Sequence, residues 1–434
     1  MGELWKAFGA VAIITGVFQG LYWFYERLKH AQCDANERLW QAHFKSLIAS
    51  EKEIQDNKLI TQLLKLYYPD SELRAHDLYR YSFTINGQLI TTNIASRNSW
   101  LNLRLPVNDK ELDRFPLIEP TVSLPTISED DEGRIRAELA KKQIRFDDRP
   151  IFTLRSFTPN AQGPIAFFSL AEYKDYKLAY GLLEDELIQA LVDANCVPLA
   201  AFEKRNNLLP GRNKFLKDCK TMADYSTRLC AGGTNVLLAF RRSSDDDYVF
   251  HFKRRSRTVS TGRGVFSLLP SGMHQPETKA NAQEESPIAA TVYRETLEEL
   301  FGGKELQQYD GHLAARRYRS TQQLEWFLQE PNFGKFVLQI VSFGLNLFDG
   351  TFEFGVLLAV TDPEYWTKYE VTRKISSEFD DEETGPISTK NSEALASIIE
   401  NPRCADTSLI ALVEGLRALK EIDPTRVALP EIVM

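Results

Sequence analysis

One short run, Arg294-Glu295-Thr296-Leu297-Glu298-Glu299-Leu300-Phe301-Gly302, constrains this chain more than any other. Its carboxylates stand at i, i+3 and i+4, a spacing that puts Glu295, Glu298 and Glu299 on one helical face. At 100° per residue, Ala289, Tyr293, Leu297 and Leu300 fall on the opposite side. The segment is therefore expected to be an amphipathic helix with a concentrated negative charge. Three like charges so placed repel one another unless a cation neutralises them. Oxygen-only ligands of this kind suit a hard divalent ion, Mg²⁺ or Mn²⁺. A solvated acidic face is the competing reading of any Glu-rich helix.

The residues upstream give the run its context. From Gly264 to Pro276 an apolar stretch breaks into a Pro/Gly turn at Pro270-Ser271-Gly272. A polar loop follows from Glu277 to Glu285. Ser286 is then the expected N-cap and Pro287 the expected first helical residue. Strand, glycine loop and carboxylate-bearing helix in that order resemble the Nudix box, G-x5-E-x7-R-E-U-x-E-E-x-G-U with U apolar. Gly272 matches its first glycine, and Arg294, Glu295, Glu298 and Glu299 match its R-E-x-x-E-E core. Several positions depart from the pattern. Counting back from Arg294 puts the first Glu of the box at Ser286, with Glu284 and Glu285 as the nearest candidates. The loop is several residues longer than the pattern allows, Thr296 stands at U, and the closing glycine comes one place late at Gly302.

The resemblance implies a metal site built on Glu295, Glu298 and Glu299, with Glu298 and Glu299 as the catalytic carboxylates. Arg294, grouped with them, would pin the helix or the loop by a salt bridge. Gly272, Arg241 at the end of a strand, and Arg255 in a basic run (Lys253, Arg254, Arg255, Arg257, Arg263) are the candidate substrate-binding positions. Guanidinium groups there would donate charge-assisted bonds to phosphate oxygens. A solvated hairpin end is the alternative for each of them.

The amino terminus is the second constraint. Residues 7–25 carry no charge and as a helix would span roughly 28 Å, close to the thickness of a bilayer's hydrocarbon core. Trp5 lies at one end and Tyr22, Trp23 and Tyr25 at the other, as interfacial anchors would. The bulky aromatics and Glu26-Arg27 after the run argue against a cleavable signal peptide. Arg27 and Lys29 follow it, which places the carboxyl-terminal bulk in the cytoplasm. Gly16-x-x-x-Gly20 would let two such helices meet as a homodimer through the anchor. Five scattered cysteines without a C-x-x-C pair fit a reducing compartment and give no zinc site. A net charge of −8 speaks against nucleic acid as a partner.

The rest of the chain divides into an anchor (1–30), an amphipathic helical segment (31–75), an α+β region without assignable chemistry (76–215) and a Nudix-like domain (225–425). Asn86-Gly87 and Asp349-Gly350 are hairpin signals. Strands are expected over residues 234–242, 247–254, 336–346 and 351–361, with a final helix over 407–420. Glu353, in one of those strands, is either an extra ligand or base or a solvent-facing residue. The expected fold class is α+β. It comprises a Nudix-like α/β/α sandwich with a mixed sheet, preceded by a transmembrane helix and an additional α+β region. The function implied is Mg²⁺-dependent hydrolysis of a nucleoside diphosphate linked to another moiety. A Nudix-like sensor that binds a nucleotide without turning it over is the alternative, and a scaffold that only makes protein contacts is a third reading.

Overall fold

Two adjacent strands organise the molecule because both of their faces are apolar. In the strand Gly232–Arg241, every residue but the last is buried. A continuous apolar run of this kind belongs to a strand covered on both sides. Val236 and Leu238 face one core, which includes Ile288, Ala289, Val292 and Leu297 of the helix Ile288–Leu300. Leu237 and Ala239 face a second, which includes Leu409, Ile410, Val413 and Leu416 of the helix Asp406–Ile422. The carboxylate helix and the last helix thus lie on opposite faces of one sheet.

The computed structural model describes residues 53–119, 133, 149–160, 162–256, 264–302, 321–376, 379 and 385–433. In chain order the strands are β1 (Tyr79–Ile85), β2 (Gln88–Ser96), β3 (Leu105–Pro106), β4 (Pro150–Thr158), β5 (Ile165–Glu172), β6 (Gly232–Arg241), β7 (Tyr248–Arg254), β8 (Phe266–Leu269), β9 (Ser271–Met273), β10 (Phe336–Asn346), β11 (Phe352–Val360), β12 (Ile387–Ser388) and β13 (Ile432–Val433). Eleven of these form one sheet along β12-β7-β6-β11-β10-β2-β1-β13, with β3 on β10, β8 on β7 and β9 on β6. β6 and β11 run parallel, Phe352 opposite Gly232 through Val360 opposite Phe240, whereas β10 and β11 are antiparallel. β4 and β5 make a separate antiparallel ribbon. Residues Leu59 to Met434 form one compact unit.

This architecture corrects the expected fold class. The described chain is mixed α/β around one large mixed sheet, and not a Nudix-like sandwich with a separate α+β region before it. β1 to β3, from the stretch expected to stand apart, extend the sheet itself. β10 is long enough to hold β11 on one edge and both β2 and β3 on the other: Leu345 pairs with Ala95, and Ile340 with Leu105. Pairing of this kind joins residues hundreds of positions apart and leaves no local signal. Among the described residues no helix is long and apolar enough to cross a membrane. The run 7–25 lies outside the described residues, as does the part of the expected helical segment before residue 53. The hairpin at Asn86-Gly87 forms with both residues at positive φ, +49° and +81°.

Candidate active site

The site is built where β9 meets the first residues of β6. Thr234 of β6 pairs with Gly272, and the carboxylate helix Ile288–Leu300 crosses close above. A Cβ on Gly272 would lie 2.1–2.3 Å from the carboxyl atoms of Glu295. Any other residue there would push that side chain aside, so glycine is what lets helix and strand approach.

The helix starts differently from expectation. Its N-cap is Pro287, which offers no side-chain bond. The Ser286 hydroxyl turns instead to the carbonyls of Phe115 (2.6 Å) and Gln283 (3.0 Å). A distant carbonyl outcompetes the local cap because burying it unpaired would cost more.

Arg294 pins the loop to the helix. Nη2 donates to Met273 O at 2.9 Å and to Glu295 Oε1 at 2.8 Å, and Nη1 donates to Gln275 O. Burial opposes its charge, but Glu295 and then Glu298 outweigh that and hold its pKa above the ordinary value. Arg294 is 4% exposed, and its bonds position the loop against the helix. Glu299, also buried, accepts the Ser271 N–H through Oε2 at 2.8 Å. Ser271 Oγ in turn accepts from Arg255 Nη1 at 3.3 Å, and the Arg255 guanidinium sits 5.6 Å from the Phe379 ring centre. Glu298 is partly exposed at the helix surface. Enclosure by the protein and the neighbouring Glu295 and Glu277 carboxylates push its pKa up to about 8, against the pull of Arg294 and Arg149.

The structure therefore gathers Gly272, Arg294, Glu295, Glu298, Glu299 and Arg255 around β9. It does not gather Arg241. That residue ends β6 seven positions beyond Thr234, about 23 Å along the strand, and donates to Thr361 O at 3.3 Å. Arg257 and Arg263 lie outside the described residues. Glu353 is neither solvent-facing nor near the box helix. By strand alternation it points away from its neighbours Phe352 and Phe354, which pack in the core beneath that helix. It accepts from Asn235 Nδ2 (3.0 Å) and Thr351 Oγ1 (2.9 Å). Burial and Asp349 raise its pKa to about 8.

Two residues at the site escape a reading of the sequence. Glu285 is buried and accepts the backbone N–H of Glu277 at 2.7 Å, while Glu284 is exposed. The carboxylate beside Glu298 is Glu277 itself. Its side chain is 5% exposed, its Oε1 has no hydrogen-bond partner, and the nearest cation is Arg149 Nη1 at 3.9 Å. Counting forward from Gly272, instead of back from Arg294, reaches Thr278, one place past Glu277. Nothing in the sequence points to Arg149, which arrives from the β4–β5 ribbon.

The fit to a hard cation is chemical. The donors are carboxylates, one with a buried oxygen that accepts no hydrogen bond, and carboxylate excess is partly held in check by protonation of Glu298. Yet among the described residues no group of three or more His, Cys, Asp or Glu side chains converges closely enough to hold a metal ion. Glu295 is turned to Arg294, and Glu299 to the Ser271 N–H. Comparison with protein-family models gives no match, and comparison with curated proteins gives none either.

Proposed function

We propose that this site hydrolyses a nucleoside diphosphate linked to another moiety, with Mg²⁺ or Mn²⁺, in the manner of the Nudix enzymes its box resembles. The observation that carries the reading is the buried Glu277 Oε1, which accepts no hydrogen bond, beside Glu298 and Glu295, a negative pocket that a hard cation would relieve. Glu298, Glu295 and Glu277 would hold the ion, with Glu299 reaching it once released from Ser271. Bound there, a divalent ion would neutralise diphosphate charge and lower the pKa of a water. The chain's own part is positional. Arg294 fixes the loop to the helix, Gly272 allows their approach, and Arg255 presents a guanidinium next to Ser271. An ion there would offset the repulsion from Glu295 and Glu277 that helps raise the Glu298 pKa and favour Glu298 as a carboxylate.

The test is turnover by the full chain with Mg²⁺ or Mn²⁺ on ADP-ribose, NADH, nucleotide sugars and nucleoside triphosphates. Turnover should fall at least a hundredfold in Glu298→Gln and in Glu299→Gln with the fold intact. Equal hydrolysis by highly purified variants would sink the assignment. One observation favours a second reading, a nucleotide sensor without turnover: Glu295 and Glu299 are both already bonded to the loop. Thermal stabilisation by one of the same nucleotides, with no product formed, would mark the sensor. In either case we place the molecule on a membrane through residues 7–25, with the body on the cytoplasmic side. Residence of the full chain in the carbonate-washed membrane fraction checks this, and its loss on deleting those residues is the expected result.

A further inference from the structure

One guanidinium at the end of the carboxylate helix lacks a bonded anion. Arg373 is half-buried, and its Nη1 lies 2.9 Å from His251 Nε2. The guanidinium also sits 5.5 Å from the Trp366 ring centre, and among the described residues these two are the bonded contacts of its side chain. Five N–H donors are available on such a group, so most of those on Arg373 are uncommitted. Exposed Glu370 attracts it without a bond, and burial outweighs that pull and lowers its pKa. Nη1 can only donate, so His251 Nε2 accepts and the imidazole carries its proton on Nδ1. Burial, then Arg373 and Lys253, bring the His251 pKa down to about 3, and Nδ1 is buried without a hydrogen-bond partner.

Backbone bonds fix this pair to the box. Lys374 N–H donates to Leu300 O at 2.8 Å, and Ser376 N–H to Glu299 O at 2.9 Å. The chain after Arg373 thus runs along the last turn of the carboxylate helix and covers carbonyls whose negative charge would repel an anion. Leu300 is only about 3 Å of helix rise beyond Glu298. His251 pairs with Leu269 on β8, just before the Ser271 whose N–H Glu299 holds. By strand alternation it shares the face of Val249, whose core includes the box helix. Phe301, Trp366 and Tyr369 line a recess beside Arg373.

We propose that Arg373 binds a phosphate group of the nucleotide ligand from the end of the box helix, an inference that rests on the hydrolase or sensor reading above. Guanidinium presents parallel N–H donors that match a phosphate edge. Its present hydrogen bond is to a neutral imidazole, and a charged phosphate oxygen is the stronger acceptor. Arg294 serves less well, being committed to Glu295 and two carbonyls.

The test uses the full chain, titrated calorimetrically with inorganic pyrophosphate in EDTA and, separately, with Mn²⁺ alone. The wild type should bind pyrophosphate without a metal. Arg373→Ala should bind it at least tenfold more weakly and Mn²⁺ within about twofold of the wild type, with Arg373→Lys between the two for pyrophosphate. Lys374→Ala removes a neighbouring positive charge, spares the guanidinium and should leave both affinities near wild type. Equal pyrophosphate binding by Arg373→Ala overturns the proposal, and retained Mn²⁺ binding then leaves the site reading standing. A pyrophosphate loss reproduced by Lys374→Ala would assign the effect to general charge and overturn it too. Loss of Mn²⁺ binding in Arg373→Ala would make the residue a support of the box helix, again overturning it. Pyrophosphate binding by the wild type only when Mn²⁺ is present places the anion on the metal and overturns Arg373 alone. Inorganic phosphate bound as tightly as pyrophosphate would mark a site for the free ion and overturn the nucleotide. A wild type that binds neither pyrophosphate nor Mn²⁺ overturns the site reading as well.

Discussion

Removing Arg294 tests whether the box arginine is a clamp. In Arg294→Met the methylene stem is kept, while Glu295 is left as a buried carboxylate and Met273 O and Gln275 O lose their donor. Stripping one partner from a buried ion pair costs about 3–5 kcal/mol. The two carbonyls lie next to a partly exposed edge and recover some of their loss from water, so about 3–5 kcal/mol is the expected total. Glu295→Gln keeps an amide oxygen for Arg294 and should cost only about 1–2 kcal/mol, the difference between a charged and a neutral hydrogen bond. The double variant no longer carries the stranded carboxylate. Its cost should therefore fall short of the sum of the two single changes by about 1–3 kcal/mol, within the range for residues in direct contact. Urea unfolding of the full chain, followed by tryptophan fluorescence and accepted only where the slope m is unchanged, supplies the four values. An Arg294→Met cost below about 1 kcal/mol, or strict additivity in the double variant, would refute the clamp.

The buried acid on the other face gives a pH signature. Glu353 holds its proton to about pH 8 in the folded chain, against 4.5 for the ordinary group. Between those values the unfolded chain has released a proton that the folded chain keeps, so stability falls as pH rises from about 4.5 to about 8 and is level above. The upper bound on the loss is roughly 4–5 kcal/mol at 1.36 kcal/mol per pKa unit. Glu353→Gln should flatten that limb in urea titrations from pH 5 to 9, and an unchanged slope would show that Glu353 does not titrate this way. Gly272→Ala should cost about 1–3 kcal/mol by overpacking against Glu295. Gly385→Ala, where a Cβ meets nothing within 4 Å, should stay within about 0.5 kcal/mol; equal melting of the two variants would contradict the close approach.

What can be read from the sequence is what local chemistry decides. Residues 336–346 form β10 along the expected length, and β6, β7 and β11 lie within two residues of their expected bounds. Each is an apolar or alternating run bounded by turn residues, and such runs have few other ways to bury themselves. Asp362 caps the helix Pro363–Tyr369 by accepting the Glu364 N–H, a local bond with a local signature. The segment Tyr173–Ala179 is helix. Its aromatic content suits helix or strand, and Tyr176, whose hydroxyl reaches Asp349 173 positions away, is fixed by tertiary contact. Within the site, Glu295, Glu298 and Glu299 can be picked out because one helical face carries them. Glu277 and Arg149 cannot, since a loop and a ribbon bring them in.

Whether the site turns substrate over depends on what its carboxylates must give up. Glu295 and Glu299 have to loosen from Arg294 and from the Ser271 N–H if all the box carboxylates are to face one ion. Each such bond involves a charged group and is worth about 1.5–3 kcal/mol. Releasing both would subtract some 3–6 kcal/mol from the intrinsic binding of the ion, a weakening of about a hundredfold or more. Glu298 and Glu277 carry no such tether, because Glu298 is held by electrostatics and Glu277 keeps an oxygen that accepts no hydrogen bond. A two-carboxylate attachment through this pair would leave the loop bonds in place. On the proposed reading, that state would bind without aligning the full set and would be the sensor. Recruitment of Glu299 by a ligand that also draws off the Ser271 N–H would convert it to the hydrolase. The Ser271 N–H bond, rather than the irregular spacing of the box, would then set the boundary between the two readings.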